Sequence, residues 1–335
     1  MPRPNATARP IDRRALIVGS AALAVVEHSR AARAQSTWPS RAIKLVVPFT
    51  PGGSTDVLAR LIGRRLEEAL GQPVVIENRP GTGGVPAAAS VAKSDPDGYT
   101  LLAGHIGTLA FNPSLYPNLP YDAATAFTPV ARLATVPNIL VVHPSVPAAT
   151  IGDFIGHAKA NPGKLNYASG GNGSAAHIAT AYLAHATGIA LVHVPYRGTG
   201  PAVNDLIGGH VQVMLSGGPA LLPQIEAGKV RALAVSSRAR ASFAPSLPTI
   251  AESVAAGFEA IQWHGIVGPA GLPAAIAERI NRIVNRALVT EEMRETLGKE
   301  GAAAAPGTPA EFGRMIAEDI VLWRGVIRRA GISIG

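Results

Sequence analysis

Four glycine-rich stretches carry the chemistry this chain could do: "TPGGSTD" from Thr50, "NRPGTGG" from Asn78, "GHIGT" from Gly104 and "SGGNGSAAH" from Ser169. None holds a lysine or a cysteine. What such turns offer is main-chain N–H groups, and some of them open a helix, whose N-terminus carries about half a positive charge and several donors without intrahelical partners. An anion such as a carboxylate or a phosphate can be held there without a charged side chain.

The side chains nearby point to binding more than to bond making. Asp56 would cap the helix it begins, or shuttle a proton. Ser174 opens a later helix in the same way, and no G-x-S-x-G elbow occurs to make any serine a hydrolytic nucleophile. "GNGSAA", Gly171 to Ala176, fits a dinucleotide fingerprint, but the stretch about 20 residues on, "VHVPYRGTG", offers no acid for a ribose. The nine histidines include no H-E-x-x-H, and His177 and His185 are too far apart on one helix to share a metal simply. Cys is 0, which removes thiolate metal sites, disulfides and a cysteine nucleophile. Arg197, in "VPYRGTG", follows a strand and would pair with an anionic group or stand as a surface cation.

These turns have to be held by a scaffold. With 47% hydrophobic and 16% charged residues, the 335-residue chain can bury a large core, and its length suits two domains or one large one. The net charge is +8, but six arginines against two acids fall within residues 1–34, and without them the excess halves. With 5% aromatics and no dense basic run in the remainder, no nucleic-acid partner is expected.

Residues 1–34 read as an export signal: Arg13-Arg14, an apolar stretch from Ala15 to Val26, and Ala32-Arg33-Ala34 as the cleavage site. Sec and twin-arginine export both fit. A periplasmic protein is expected.

Past Trp38 the pattern alternates. Ile43–Phe49 is a strand, and Val57 to Leu70 an amphipathic helix stopped by Gly71 and Pro73. Val74–Glu77 is a strand, Gly84–Lys93 a helix and Tyr99–Ala103 a strand. The grammar returns with strands at Leu165–Ala168, Ile189–Pro195, Val211–Leu215 and Val230–Ser236. Helices at Ser174–Thr187, Pro201–Ile207 and Ala220–Ala227 separate them. Two extended segments, "FTPVARLATVPNILVVHPSVPA" from Phe127 and "FEAIQWHGIVGPAGLPA" from Phe258, lie between the blocks, and helices at Ala274 to about Gly298 and Pro309 to about Ala330 close the chain. This predicts α/β architecture: two lobes joined by two extended crossings. Residues 35–135 with 252–335 would form lobe 1, and 136–251 lobe 2. In open parallel sheets ligands bind beyond the carboxyl ends of the strands, where the glycine turns fall.

The ordered run "WPSRAIKLVVPFTPGGSTDVLAR", "VVIENRPGTGG", "DGYTLLAGH", "FTPVARL", "PNILVVHPSVPA", "LNYASGGNGSAAH", "HVPYRGTGPAVNDLIGGHV" and "IEAGKVRALAVSS" resembles the tripartite tricarboxylate transporter substrate-binding receptors of the Bug type, from Trp38 almost to the C-terminus. The resemblance implies a type II periplasmic-binding-protein fold with a ligand cleft between two closing lobes. It also implies a small organic acid as ligand, a monomer, no cofactor, and delivery to a membrane permease of the tripartite type. An orphan sensor for a membrane kinase and, further off, an exported hydrolase are the alternatives. The implied site comprises Phe49, Thr50, Pro51, Gly52, Gly53 and Asp56 on the first turn, then His105, Gly107 and Thr108. From the second lobe it takes Ser169, Gly170, Gly173, Ser174, His177 and Ser216. One departure stands out: many relatives have Asp-Asn after the strand "VQVML", where this chain has Ser216-Gly217. Trp263 and His264 lie where relatives carry an aromatic near the cleft, and core packing accounts for Trp263 equally well.

Overall fold

The computed structural model describes residues 38–334, so the leader read at 1–34 lies outside them. The first block runs β1 (Ile43–Val47), α1 (Ser54–Leu70), β2 (Val74–Asn78), α2 (Val85–Ala92), β3 (Thr100–His105) and α3 (Asn112–Leu115). β4 (Phe127–Val142) leaves it. The middle block is α4 (Ile151–Ala160), β5 (Asn166–Ser169), α5 (Ala175–Thr187), β6 (Val192–Pro195), α6 (Thr199–Ile207), β7 (Val213–Gly217), α7 (Gly218–Glu226), β8 (Arg231–Val235) and α8 (Ile250–Ser253). β9 (Ile261–Pro269) returns, and α9 (Ala274–Leu288), α10 (Glu291–Lys299), β10 (Ala303–Ala304) and α11 (Pro309–Arg329) finish the chain.

Ten strands form one curled mixed sheet, in the order β2-β1-β3-β9-β4-β7-β5-β6, with β8 and β10 also paired to β4. β1 is parallel to β2 and β3, and β5 is parallel to β6 and β7. β1 is an almost wholly buried IKLVV run, as expected of a strand covered by helices on both faces. α1 covers it with Leu58, Ile62, Leu66 and Leu70, and ends at Gly71 in the left-handed region, φ 68.

β4 is the 16-residue element that joins the halves. Its first part, to Pro137, pairs with β9, and its last part, from Asn138, pairs with β7 and β8. β9 lies between β3 and β4, so the two extended segments cross side by side. The architecture is the two-lobed α/β fold with a cleft between lobes.

Some elements differ from the expectation. The helix expected from Ala274 to Gly298 is two helices, because Thr290 accepts from the Met293 N–H and starts a new one. α4 was not foreseen: Thr150 and Asp153 close a capping box at its start. Beyond β3 the glycine-rich turn "GHIGT" runs into a π-helical turn, Gly107–Phe111. Among the described residues no helix is long and apolar enough to cross a membrane.

Candidate functional site

The helix starts of both halves converge. A cavity of about 380 Å³ is lined by Phe49, Gly53, Ser54, Thr55 and His105 from the first half and Gln262 from β9. The second half adds Gly170, Ser174, Ala175, Ala176, Thr199 and Ser216. Ser54 and Thr55 are the first two residues of α1, Ala175 and Ala176 the first two of α5, and Thr199 the first of α6. The main-chain N–H groups of first-turn residues have no partner within their own helix. Three positive helix ends therefore meet at one wall, which contains no lysine, arginine, aspartate or glutamate among the described residues.

The halves touch around this cavity with little between them. Gly198, at φ 142, lies so close to the first turn that a Cβ there would stand 1.8 Å from Thr50 Oγ1. A Cβ on Gly107 would stand 2.9 Å from the Gly173 carbonyl. The Tyr116 hydroxyl donates to the Asn172 carbonyl at 3.0 Å, tying α3 to the β5–α5 turn.

Each glycine turn is braced from behind. At the first, the Asp56 carboxylate accepts from Gly52 N (3.0 Å), Asn78 Nδ2 (2.9 Å) and the Arg60 guanidinium (2.9 Å). Asn78 Nδ2 also donates to the Phe49 carbonyl. Burial pushes the Asp56 carboxyl up, but Arg60, the Gly52 N–H and Asn78 outweigh it and hold it below its ordinary value. Asp56 thus sits at the third position of α1 and reaches back past the N-cap. Its oxygens are engaged with the turn, and Asp56 is not part of the cavity wall.

At the second turn the braces are rings. His177 Nδ1 accepts from Gly173 N at 3.2 Å, and His193 Nε2 lies 2.6 Å from Ser169 Oγ, which accepts from Gly171 N. His177, His193 and Tyr167 stack, with centroids 4.1 Å and 4.7 Å apart. Burial lowers His193 to about 4, and burial with the neighbouring His193 lowers His177 to about 3, so both are neutral near pH 7.

The floor is a directed chain of hydrogen bonds. Gly107 N–H donates to His105 Nδ1 at 2.9 Å, leaving Nε2 to donate to Gln262 Oε1 at 3.2 Å. Gln262 Nε2 donates to Asn138 Oδ1 at 2.6 Å, at the point where β4 passes from one half to the other. Burial lowers His105 to about 4, partly offset by Gln262. His264 packs beside it, with Nδ1 3.3 Å from Thr55 Oγ1, and burial first and His105 second keep it well below its ordinary range.

Of the residues singled out from sequence, Phe49, Gly53, His105, Gly170, Ser174 and Ser216 share the cavity wall. Thr50, Pro51, Gly52, Asp56, Gly107, Thr108, Ser169, Gly173 and His177 stand behind or beside it as turn and brace. Trp263 faces away, donating from Nε1 to Asp319 and packing edge-on against Phe312. Sequence reasoning did not name Ser54, Thr55, Ala175, Ala176, Thr199 or Gln262. The first five are the helix starts themselves, one to three residues past a glycine. Gln262 comes from a strand nearly 160 residues away from its partner His105.

The model of the family described as the tripartite tricarboxylate transporter family receptor matches residues 58–332. The chain is 40% identical to the protein BugT of Bordetella pertussis over 89% of this chain and 92% of that protein. Among solved structures it is similar to R. palustris Rpa4515 with adipate: TM-score 0.87, 40% identity, 88% of this chain and 99% of that one. It is also similar to MatC from Rhodopseudomonas palustris with bound malate: TM-score 0.83, 34% identity, 87% of this chain and all (100%) of that one.

Proposed function

The chain belongs to the tripartite tricarboxylate transporter receptor family, and from that premise we propose that it is an extracytoplasmic receptor that captures a small carboxylate and presents it to a membrane permease. The observation that carries this reading is the meeting of the first residues of α1, α5 and α6 on one wall without a lysine or arginine among its described residues. Such a wall favours an anion, and its close walls favour a small one. The adipate and malate held by two relatives are acids of this kind.

In this reading the Ser54, Thr55, Ala175 and Ala176 amides hold the carboxylate. Phe49, Gly53, His105, Gly170, Ser174, Thr199, Ser216 and Gln262 shape the space around it. The other residues of the two turns keep the amides aimed. Residues 35–135 with 252–335 move as one lobe against 136–251, and a carboxylate touching both favours the closed arrangement by its higher affinity for it. The leader at 1–34 directs export, and the permease reads the closed form.

A thermal-shift screen tests the ligand class, since a ligand that binds only the folded protein raises its melting temperature by mass action. Small carboxylic acids should raise it in proportion to the logarithm of their concentration. A rise with sugars or cations and none with acids would overturn the reading.

A further inference from the structure

The hydrogen-bond chain on the cavity floor ends on a main-chain group at both sides, and those two groups fix its direction. At one end the Gly107 N–H can only donate, so His105 Nδ1 accepts and the proton of the neutral ring sits on Nε2. At the other end the Ala260 carbonyl can only accept, so the Asn138 amide donates to it from Nδ2 and turns Oδ1 toward Gln262. Ser236 holds Asn138 in place: its hydroxyl accepts from the Asn138 N–H at 2.8 Å and donates to the Ala260 carbonyl at 2.6 Å.

Gln262 lies between these ends, and one setting of its amide satisfies both: Oε1 toward His105 and Nε2 toward Asn138. Turned over, it would set N–H against N–H at His105 and oxygen against oxygen at Asn138. Nε2 carries two hydrogens. Asn138 takes one, and the nitrogen makes no second hydrogen bond among the described residues. Gln262 is 5% exposed and belongs to the inner wall of the cavity. A Cβ on Gly217 would stand 3.0 Å from this nitrogen and 2.5 Å from Ser54 Oγ. The nitrogen therefore lies beside the first residue of α1, over a stretch of β7 with no side chain to cover it. A buried donor left without an acceptor is costly, and an incoming acceptor removes that cost.

We propose that Gln262 is a ligand-binding residue that sets specificity: its spare N–H donates to an oxygen of the bound acid, and His105 and Asn138 are positioning residues that keep its carbonyl turned away. This rests on the cavity holding a carboxylate. A carboxylate only accepts and suits an aimed donor, whereas the carboxamide of the same skeleton brings N–H groups of its own. The direction decides the sign, because the same side chain turned over would face the acid with an oxygen.

The test is NMR and calorimetry on the full chain, with malate, adipate and benzoate and their amides as probes. In the wild type, ¹⁵N correlations should show His105 protonated at Nε2 and bare at Nδ1. The Gln262 side-chain amide, assigned by its loss in Gln262→Met, should show one proton moving downfield as an acid binds and the other holding still. Asn138→Ser should instead move that other proton with no acid present. Gln262→Met keeps the length and loses the donor, so affinity for the acid should fall about tenfold and the margin over its amide should narrow. Gln262→Glu still accepts from His105 but meets the acid with like charge, so the fall should be about a hundredfold. Should either variant fail to fold, the wild-type spectra decide. Gln262 protons unmoved by an acid that binds, or His105 bare at Nε2, would overturn the assignment and leave the amide wall standing. If the wild type binds none of the three acids, the carboxylate reading fails and this one with it.

Discussion

Behind the Phe49–Gly53 turn lies a carboxylate locked to a guanidinium; behind the Ser169–Ser174 turn lies a stack of neutral rings. Both turns aim helix-start amides at one cavity. The difference shows what each kind of brace requires. A carboxylate at the third position of α1 bonds the turn strongly, but it also puts negative charge beside a helix end that would receive an anion. Arg60, one helical turn on, cancels that charge. Neutral imidazoles accept the same kind of N–H bond and bring no charge, so the second turn needs no counter-ion. Their restriction is burial: exposed to water, they would titrate near 6.5.

The largest effect should come from blocking the approach of the halves, which disables both turns together. Gly198→Ala places a methyl group within contact of Thr50 and forces an L-residue to φ 142. Affinity for the best acid should fall about a hundredfold or more, the scale of a few kcal/mol of overpacking. Thr50→Gly in the same chain should recover part of it. A Gly198→Ala variant that titrates like the wild type would show that the halves need not meet there.

Acid should separate the two braces by pH. His177 and His193 have folded values lowered from 6.5, so the unfolded chain binds the extra protons. Their contribution is complete above 6.5 and is lost as pH falls toward about 4 and about 3. Asp56 is lowered from 3.8, so its contribution is present above 3.8 and is lost only as pH falls below that. Melting curves should therefore decline in two stages. His177→Gln should make the upper stage shallower, the rest of it belonging to His193, His105 and His264, and Asp56→Asn should do the same to the lower one. A flattening of the upper stage by Asp56→Asn would contradict this division.

The smallest effect sharpens the comparison most. Arg60→Gln leaves the Asp56 charge uncancelled, and Arg60 does not line the cavity. Acid affinity should drop roughly three- to fivefold, as befits a half-exposed pair near a helix end. The loss should shrink in high salt, and Asp56→Asn added to Arg60→Gln should restore affinity. No restoration would mean that Arg60 acts through packing alone.

Most strands and long helices were legible because each obeys a local rule: buried β1 reads as an apolar run, and α1 ends on a left-handed glycine, whereas α4, with its capping box, went unread. The turns were legible as glycine clusters. The break at Thr290 was also written locally, as a threonine followed by two glutamates, but the apolar periodicity running through it masked the signal. What could not be read was direction. Nothing in "GSTD" says that Asp56 turns back toward Gly52 instead of into the cleft, because that depends on Arg60 and Asn78 meeting it. Gln262 was out of reach for the same reason: its place between His105 and Asn138 exists only once three strands are side by side.

The amides on the inner wall belong to the peptide chain, and no codon change deletes them. Exchanging Ala175, Ala176 or Ser216 for a neighbour in size would resculpt the hollow and leave its attraction for negative charge in place. A wall of this kind can change which small acid it would admit by small steps, without passing through a form that admits none.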